Sequence, residues 1–182
     1  MLRVQSAGAD VFLSDSHYPD FLLQHKTYLQ LQLYHAVVSY GIRGTEAAAR
    51  EALGAGVNFL VTSQWWTSQL PYPESMAFVE RYTRRYGDAN SYYPGLAYET
   101  VRTLLAAIEA AGTLEAPDIR QALARMDRKD AIIPGRRVYF PKENGFQIDN
   151  PSVLVQNLPD GSARIIYPKD ALTGEAVVPR PR

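Results

Sequence analysis

Residues 8–62 read GADVFLSDSHYPDFLLQHKTYLQLQLYHAVVSYGIRGTEAAAREALGAGVNFLVT, and this stretch decides the fold class. Short apolar runs predict three buried strands, at residues 11–13, 36–39 and 57–62. Helices are predicted between the runs, a longer one capped by Asp20 and a shorter one over residues 45–53. This β-α-β-α-β order predicts an α/β fold built on a parallel sheet.

The apolar pattern of the sequence changes after the third apolar run. Residues 64–73, QWWTSQLPYP, have no helical or strand period, so they predict a hinge or crossover. Apolar spacing of three and four then predicts helices at 74–86, 95–111 and 117–124. Later strands are predicted at 138–140, 153–156 and 164–167. The tail after Pro168 is expected to be frayed.

Several local patterns, in this order and spacing, carry a family resemblance over residues 1–168. They are GADV at 8–11, FVERY at 78–82 with Tyr86-Gly87, AYETV at 97–101, AIEAAG at 107–112, IRQAL at 119–123, residues 135–140 with Gly145, and Val155-Gln156 with Asp160-Gly161 and Pro168. Together they resemble the type I periplasmic-binding-protein family, specifically the branched-chain amino-acid and amide receptors of ABC transporters.

The resemblance implies two α/β lobes that close over a small molecule, in proteins about twice this length. The chain then corresponds to the C-terminal portion, an incomplete Rossmann-like lobe with hinge crossings to a second lobe. The implied assignment is second lobe for 1–63, hinge for 64–73, first lobe for 74–148, second lobe again for 149–168 and a tail for 169–182. The resemblance thus implies that this sequence lacks the N-terminal half of the family fold.

That absence has a physical consequence for the helices at 74–86 and 95–111. Their apolar stripes, formed by Phe78, Val79 and Tyr82 and by Ala97, Val101, Leu104, Leu105 and Ile108, need a partner surface. We therefore expect a homo-oligomer, or a complex with a separate chain that carries the complementing N-terminal half.

Composition excludes several classes of partner. The 182 residues are 46% hydrophobic and 21% charged, and 19 basic residues balance 19 acidic ones. No charge run forms the basic patch that nucleic acid or an anionic membrane demands. No apolar stretch approaches the roughly 20 residues that span a bilayer, and the residues after Met1 do not form a signal peptide. We expect no nucleic-acid binding and no membrane insertion.

An enzyme is the weaker hypothesis. The chain has no cysteine, no phosphate-binding glycine motif, and no serine, histidine and aspartate arrangement typical of a hydrolase. Its three histidines, His17, His25 and His35, have spacings that fit no common zinc site. We expect no catalytic residues, no metal and no cofactor.

A ligand site is expected in the loops that follow the strands. The first loop offers Asp15, Ser16 and Tyr18, and the resemblance implies ligand contact at Tyr18. The second offers Tyr40 and Gly41, near the position where amino-acid receptors carry an acidic residue for the α-amino group. That acid is missing, so an amino-acid ligand would need Asp15 for its ammonium. Packing is the alternative role for each aromatic residue.

The third loop adds Trp65 to the candidate ligand residues, with packing again as the alternative for Trp65 and Trp66. By resemblance, the chain is expected to be the extracytoplasmic solute-binding component of an ABC transporter, periplasmic or lipoprotein-anchored, with an ABC permease as partner. Its ligand would be a small organic molecule resembling an amino acid, an amide or an aromatic acid. The alternatives are a ligand-sensing regulatory domain of the same fold, or a half-length assembly module that binds no ligand.

Overall fold

A computed structural model describes residues 1–87, 89, 91–140 and 151–181. The chain forms two compact units. The first unit combines Met1–Gln64 with Val153–Arg182, and the second is Trp65–Ser152. Gly145 and the expected lobe boundary between residues 148 and 149 lie outside the described residues.

The N-terminal part of the first unit alternates helices and strands. Its elements are α1 (Leu2–Ser6), β1 (Val11–Leu13), α2 (Tyr18–Gln30), β2 (Val37–Ser39), α3 (Ala47–Leu53), a 3₁₀ helix (Gly54–Val57) and β3 (Val61–Gln64). The strands β1, β2 and β3 pair in parallel. This confirms the predicted β-α-β-α-β order and the parallel sheet.

Two boundaries differ from the prediction. Helix α2 begins at Tyr18, with Pro19 in its first turn and extended His17 as the residue before it, so Asp20 is not the cap. Asp20 lies in the first turn, where a carboxylate interacts favourably with the helix dipole. The third strand begins at Val61 and not at residue 57, because residues 54–57 continue as a 3₁₀ helix and Phe59 has a positive φ of 62°.

The second unit is mainly helical. It contains α4 (Pro73–Tyr86), α5 (Tyr92–Ala111), α6 (Ala116–Ala124) and a short antiparallel pair, β4 (Asp127–Arg128) with β5 (Val138–Tyr139). Helix α5 begins three residues earlier than predicted, because the Ser91 side chain caps it by accepting from the Tyr93 amide. It ends at Gly112, which adopts the left-handed conformation with φ 66°.

A buried carboxylate joins α5 to the segment that follows α6. Glu99 is 4% exposed, accepts from the Ile132 amide at 2.9 Å and forms an ion pair with Arg128 at 2.9 Å. Arg102 lies 3.5 Å from the same carboxylate. A buried charge is tolerated only when it is paired and hydrogen-bonded, so these contacts fix the polar face of α5 toward the inside of the unit.

The chain then returns to the first unit as β6 (Val153–Asn157) and β7 (Ala163–Tyr167). The complete sheet has the order β1-β2-β3-β6-β7, and β6 is antiparallel to both β3 and β7. In the β3–β6 register, Gln64 is opposite Val153 and Val61 is opposite Gln156. Asn157 Nδ2 donates to the carbonyls of Gly44 (2.6 Å) and Val57 (3.0 Å), so the returning strand also fixes the loops beside the sheet.

The tail is not frayed, contrary to the prediction. The Val177 amide donates to Gln156 Oε1 at 2.8 Å, and Gln156 Nε2 donates to the Val177 carbonyl at 3.1 Å. Further on, the Arg180 amide donates to the Ala36 carbonyl, and its guanidinium lies over the rings of Tyr28 and Tyr34. The two hydrogen bonds of the Gln156 side chain and the cation–π contacts of Arg180 therefore hold the tail on the first unit.

Candidate ligand-binding site

The candidate site lies in the first unit, at the sheet edge where β1, β2 and β3 end. Parallel strands end at the same edge, so the loops after them are neighbours. Two backbone hydrogen bonds join these loops to the adjacent strands. The Ser14 amide donates to the Ser39 carbonyl at 2.9 Å, and the Ser63 amide donates to the Gly41 carbonyl at 2.7 Å. The backbone of the sheet therefore positions the site.

Asp15 and Gly41 are in direct contact. Gly41 has φ +58° in a tight turn that is closed by the Arg43 amide donating to the Tyr40 carbonyl at 2.9 Å. A Cβ atom at residue 41 would lie only 2.6 Å from Asp15 Oδ1. Glycine is required here both for the backbone conformation and for the close approach of the carboxylate. The structure thus brings together two of the residues predicted from the sequence.

Ser16 and Tyr18 lie on the same loop as Asp15. Ser16 Oγ is buried and has no hydrogen-bond partner within the described residues. Tyr18 is half-buried at the start of α2, with its ring 6.0 Å from that of Phe21. Burial raises the pKa of the Tyr18 hydroxyl, and the negative charges of Glu46 and Glu51 raise it further. Tyr18 is therefore protonated at neutral pH and offers both a donor and an apolar ring.

The structure corrects the expectation for Tyr40. Its side chain is fully buried, and its hydroxyl bonds to His25 Nδ1 at 3.1 Å. Its ring packs edge-on against Phe21 at 4.9 Å, and burial raises the pKa of the hydroxyl far above its usual range. Tyr40 fills the core because it directly follows the buried strand β2, and its side chain is removed from the candidate ligand residues.

The two tryptophans belong to the second unit. Trp65 is 41% exposed, and its ring meets that of Tyr92 edge-on at 5.2 Å. Trp66 is fully buried, 5.7 Å from the Phe78 ring, and lies so close to the Gly95 backbone that a Cβ atom there would collide with the indole. Packing is therefore the role of Trp66, while Trp65 presents an exposed face.

The histidines do not gather around a metal position. His25 Nε2 bonds to the Gly56 carbonyl at 2.7 Å, and His35 Nδ1 bonds to the Tyr28 hydroxyl at 2.9 Å. Over residues 1–87, 89, 91–140 and 151–181, no three side chains of the metal-binding types come together. Nor does any helix in these ranges have the length and apolar character needed to cross a membrane.

Gln64 supports the site; the sequence placed it at the opening of the third loop but not among the candidate ligand residues. It is 5% exposed at the end of β3, and its Nε2 donates to Thr45 Oγ1 at 2.6 Å and to the Ile42 carbonyl at 3.3 Å. It thereby fixes the loop that follows Gly41. A polar residue at the end of an otherwise apolar run is the only sequence signal for this role.

The chemistry of the site is that of recognition. The Asp15 carboxylate accepts hydrogen bonds, the Ser16 hydroxyl can donate or accept one, and Tyr18 adds an aromatic surface. The Ser14 hydroxyl donates to Gln24 Oε1 at 2.7 Å, so this serine is bonded to an amide and not to a histidine base.

Comparison with known proteins gives a family. A model described as "Periplasmic binding protein" matches residues 1–161. The chain belongs to this family. A comparison with curated proteins finds no match.

This chain resembles solved structures of other proteins at low sequence identity. A leucine binding protein from Thermotoga maritima is 19% identical with TM-score 0.74, and the match covers 90% of this chain and 46% of that one. A putative branched-chain amino acid ABC transporter from Silicibacter pomeroyi is 16% identical with TM-score 0.79, covering 98% and 49%. LivJ from Streptococcus pneumoniae, in complex with isoleucine, is 14% identical with TM-score 0.72, covering 92% and 48%. These matches establish the type I periplasmic binding fold, and the chain spans about half the length of each.

Proposed function

We propose that this chain supplies a ligand-binding lobe of an extracytoplasmic solute receptor that works with an ABC permease. The observation that carries the proposal is the contact between Asp15 and Gly41 at the ends of β1 and β2. Polar groups that converge at the carboxyl edge of a parallel sheet are the usual setting for a small-molecule site in α/β folds. The role is binding and not catalysis.

The ligand class follows from the donors and acceptors at this edge. Asp15 is exposed and supplies a negative charge, while Ser16 Oγ is a buried polar atom without a described partner. An ammonium group satisfies the carboxylate, and a hydroxyl, amide or carboxylate of the ligand can satisfy the serine. We therefore propose a small amino-acid-like solute. Leucine and isoleucine are the first compounds to test because structural relatives are described with them.

Calorimetry tests this proposal. The purified chain is titrated with L-leucine, L-isoleucine and 4-methylpentanoate, a leucine analogue that lacks the ammonium group. Asp15→Asn should weaken amino-acid binding at least tenfold, because a charge-assisted hydrogen bond contributes about 1.5–3 kcal/mol. It should leave binding of the analogue unchanged.

Asp170→Asn is the matched control, since Asp170 is an exposed carboxylate of the same unit in the short 3₁₀ helix after β7. Equal amino-acid affinity of the Asp15 variant and the parent chain would contradict the role of Asp15. Absence of binding by the folded chain to the whole panel would contradict the amino-acid-like ligand class.

A further inference from the structure

The tail docks on the first unit through residues 34–36, which directly precede β2. The Arg180 amide donates to the Ala36 carbonyl at 3.0 Å, and the Tyr34 hydroxyl donates to the Arg180 carbonyl at 2.8 Å. Both backbone groups of Arg180 are thus bonded to the two residues that flank His35. Residue 35 therefore lies at the centre of the surface on which the tail docks.

The His35 side chain is buried beside the docked tail. It is 4% exposed, and its Nδ1 bonds to the Tyr28 hydroxyl at 2.9 Å. The Phe12 ring lies 5.7 Å from the imidazole. A hollow of about 220 Å³ is lined by His35, Tyr34 and residues of α1, so a proton from solvent has a short route to the ring.

Three basic side chains surround one aromatic ring. The Tyr28 ring lies 5.5 Å from that of His35 and 5.6 Å from that of His25, and the Arg180 guanidinium lies 5.4 Å from its centre. In the part of the chain that the structure describes, no carboxylate pairs with Arg180, and its buried Nε has no hydrogen-bond partner. A protonated histidine would therefore add a second positive charge to a poorly solvated site.

The environment of His35 opposes its protonation while the tail is docked. Burial lowers the pKa of His35, and the nearby Arg180 charge lowers it further, whereas Asp10, which precedes β1, acts in the opposite direction. The other titratable side chains that the structure places around this ring are not carboxylates. They are Tyr28 and His25 on α2, Tyr34 in the docking segment and, beyond His25, Tyr40.

We propose that the tail is a pH-sensitive latch: Arg180 docks on residues 34–36 while His35 is neutral, and the tail is released when His35 gains a proton. Release removes the guanidinium from the cluster and opens the imidazole to water, so the released state binds the proton more tightly. Docking is therefore favoured above the ordinary histidine pKa of about 6.5 and weakens as the pH falls below it. The inference does not depend on the proposed ligand-binding function.

Amide hydrogen exchange followed by NMR measures the docking equilibrium. The Val177 and Arg180 amides donate to Gln156 and Ala36 while the tail is docked, so their protection factors report how often it is released. Between pH 7.5 and 5.5 these factors, corrected for intrinsic exchange, should fall by up to about tenfold. This is the change that one proton with a pKa near 6.5 allows when the docked state excludes it.

An amide at the other end of the strands distinguishes release of the tail from loosening of the whole unit. The Ser63 amide donates to the Gly41 carbonyl at 2.7 Å, on the edge of the sheet opposite to Ala36. Its protection should fall less than that of the tail amides.

His35→Gln removes the titrating group and keeps an acceptor for the Tyr28 hydroxyl. The protection of the tail amides should then lose most of its pH dependence. His17→Gln is the matched control, because His17 is exposed before α2, and this variant should behave as the parent chain does. Arg180→Gln tests the coupling from the other side. The pKa of the His35 ring, titrated by NMR, should be higher in this variant than in the parent chain.

Three results would overturn the proposal. A folded His35→Gln variant whose tail amides keep the pH dependence of the parent chain would exclude His35 as the sensor. An equal fall at Ser63 and at the tail amides would mean that acid loosens the whole unit and not the latch. If His35→Gln does not fold, the titration decides: an unchanged pKa of His35 in Arg180→Gln would show that the tail and the histidine are not coupled.

Discussion

Two glycines of the first unit share a backbone conformation but differ in their surroundings. Gly8 has φ +60° with no atom within 4 Å of an added Cβ, whereas an added Cβ at Gly41 meets Asp15. The pair separates the effect of left-handed backbone strain from the effect of the contact with Asp15. Comparing variants at the two positions therefore measures the free energy cost of displacing the Asp15 side chain from Gly41.

Gly8→Ala should lower the free energy of unfolding by about 1–2 kcal/mol, which is the cost of an L-residue in the left-handed region. Gly41→Ala should lower it by about 1–3 kcal/mol more, because the new methyl group displaces the Asp15 carboxylate or the turn. Urea denaturation of both variants measures the two losses. Equal losses would show that the loop around Asp15 moves aside without cost.

His25 introduces a pH dependence into the first unit. Its ring is fully buried between the Tyr40 hydroxyl and the Gly56 carbonyl. Burial lowers the pKa of His25, and the nearby Arg180 charge lowers it further, while the bond to Gly56 acts in the opposite direction. Below its ordinary pKa of about 6.5, the histidine of the unfolded chain therefore binds a proton that the folded chain does not.

The unfolding free energy should fall as the pH is lowered from 7.5 to 5.5, with His25 contributing up to about 1.4 kcal/mol of that loss. Urea denaturation at the two pH values measures it. His25→Gln should reduce the pH dependence, whereas His17→Gln, at an exposed position before α2, should not. An identical pH dependence of the parent chain and His25→Gln would refute the assignment.

At the scale of elements, the tail is a structural part of the first unit. Gln156 lies on the interior strand β6 and is 1% exposed, and both polar atoms of its side-chain amide bond to the backbone of Val177. Removal of the tail would leave Gln156 Oε1 without its partner in the interior, whereas Nε2 would keep only the Phe59 carbonyl at 3.4 Å. An unsatisfied buried polar group costs about 1–3 kcal/mol.

Deletion of residues 177–182 should therefore lower the unfolding free energy by at least about 2 kcal/mol, including the lost contacts of Arg180. Thermal and urea denaturation measure the effect. Deletion of residues 181–182 alone is the control, because it keeps the contacts of Val177 and Arg180. If the variant that lacks residues 177–182 were as stable as the control, the tail would contribute nothing to stability, as expected of the frayed tail that the sequence predicted.

The order of elements in the first unit could be predicted because apolar runs and glycines give local signals. Local signals did not predict the start of β3 correctly, since the 3₁₀ helix at 54–57 is itself apolar and resembles the start of a strand. Nor did they predict the tail, whose attachment depends on Gln156, 21 residues earlier in the chain. Within the site, Asp15 and Gly41 followed from the strand ends, but the burial of Tyr40 depends on packing against Phe21 and His25.

At the scale of the whole molecule, the first unit is built from two distant segments. Strand β3 ends with Gln64 opposite Val153 at the start of β6, and the two strands are antiparallel. A two-residue turn can join antiparallel strands in this register. The second unit is thus inserted between two strands that would otherwise form a hairpin.

Residues 1–64 joined through Asn-Gly to residues 153–182 should fold on their own. Residues 1–64 alone should not, because they lack β6 and the Asn157 side chain that binds the Gly44 and Val57 carbonyls. Circular dichroism and proton NMR dispersion compare the two polypeptides. Cooperative folding of residues 1–64 alone, or an unfolded joined polypeptide, would contradict the importance of β6.

The same insertion has a consequence during protein synthesis. The ribosome makes β3 and then about 90 further residues before Asn157, which takes roughly 5–20 seconds at typical elongation rates. Throughout that interval β3 has no partner on one side, and its free backbone groups can pair with any other extended chain. Nascent copies of this protein are therefore expected to depend on chaperones in these seconds, and slower translation of residues 65–152 should increase the aggregated fraction.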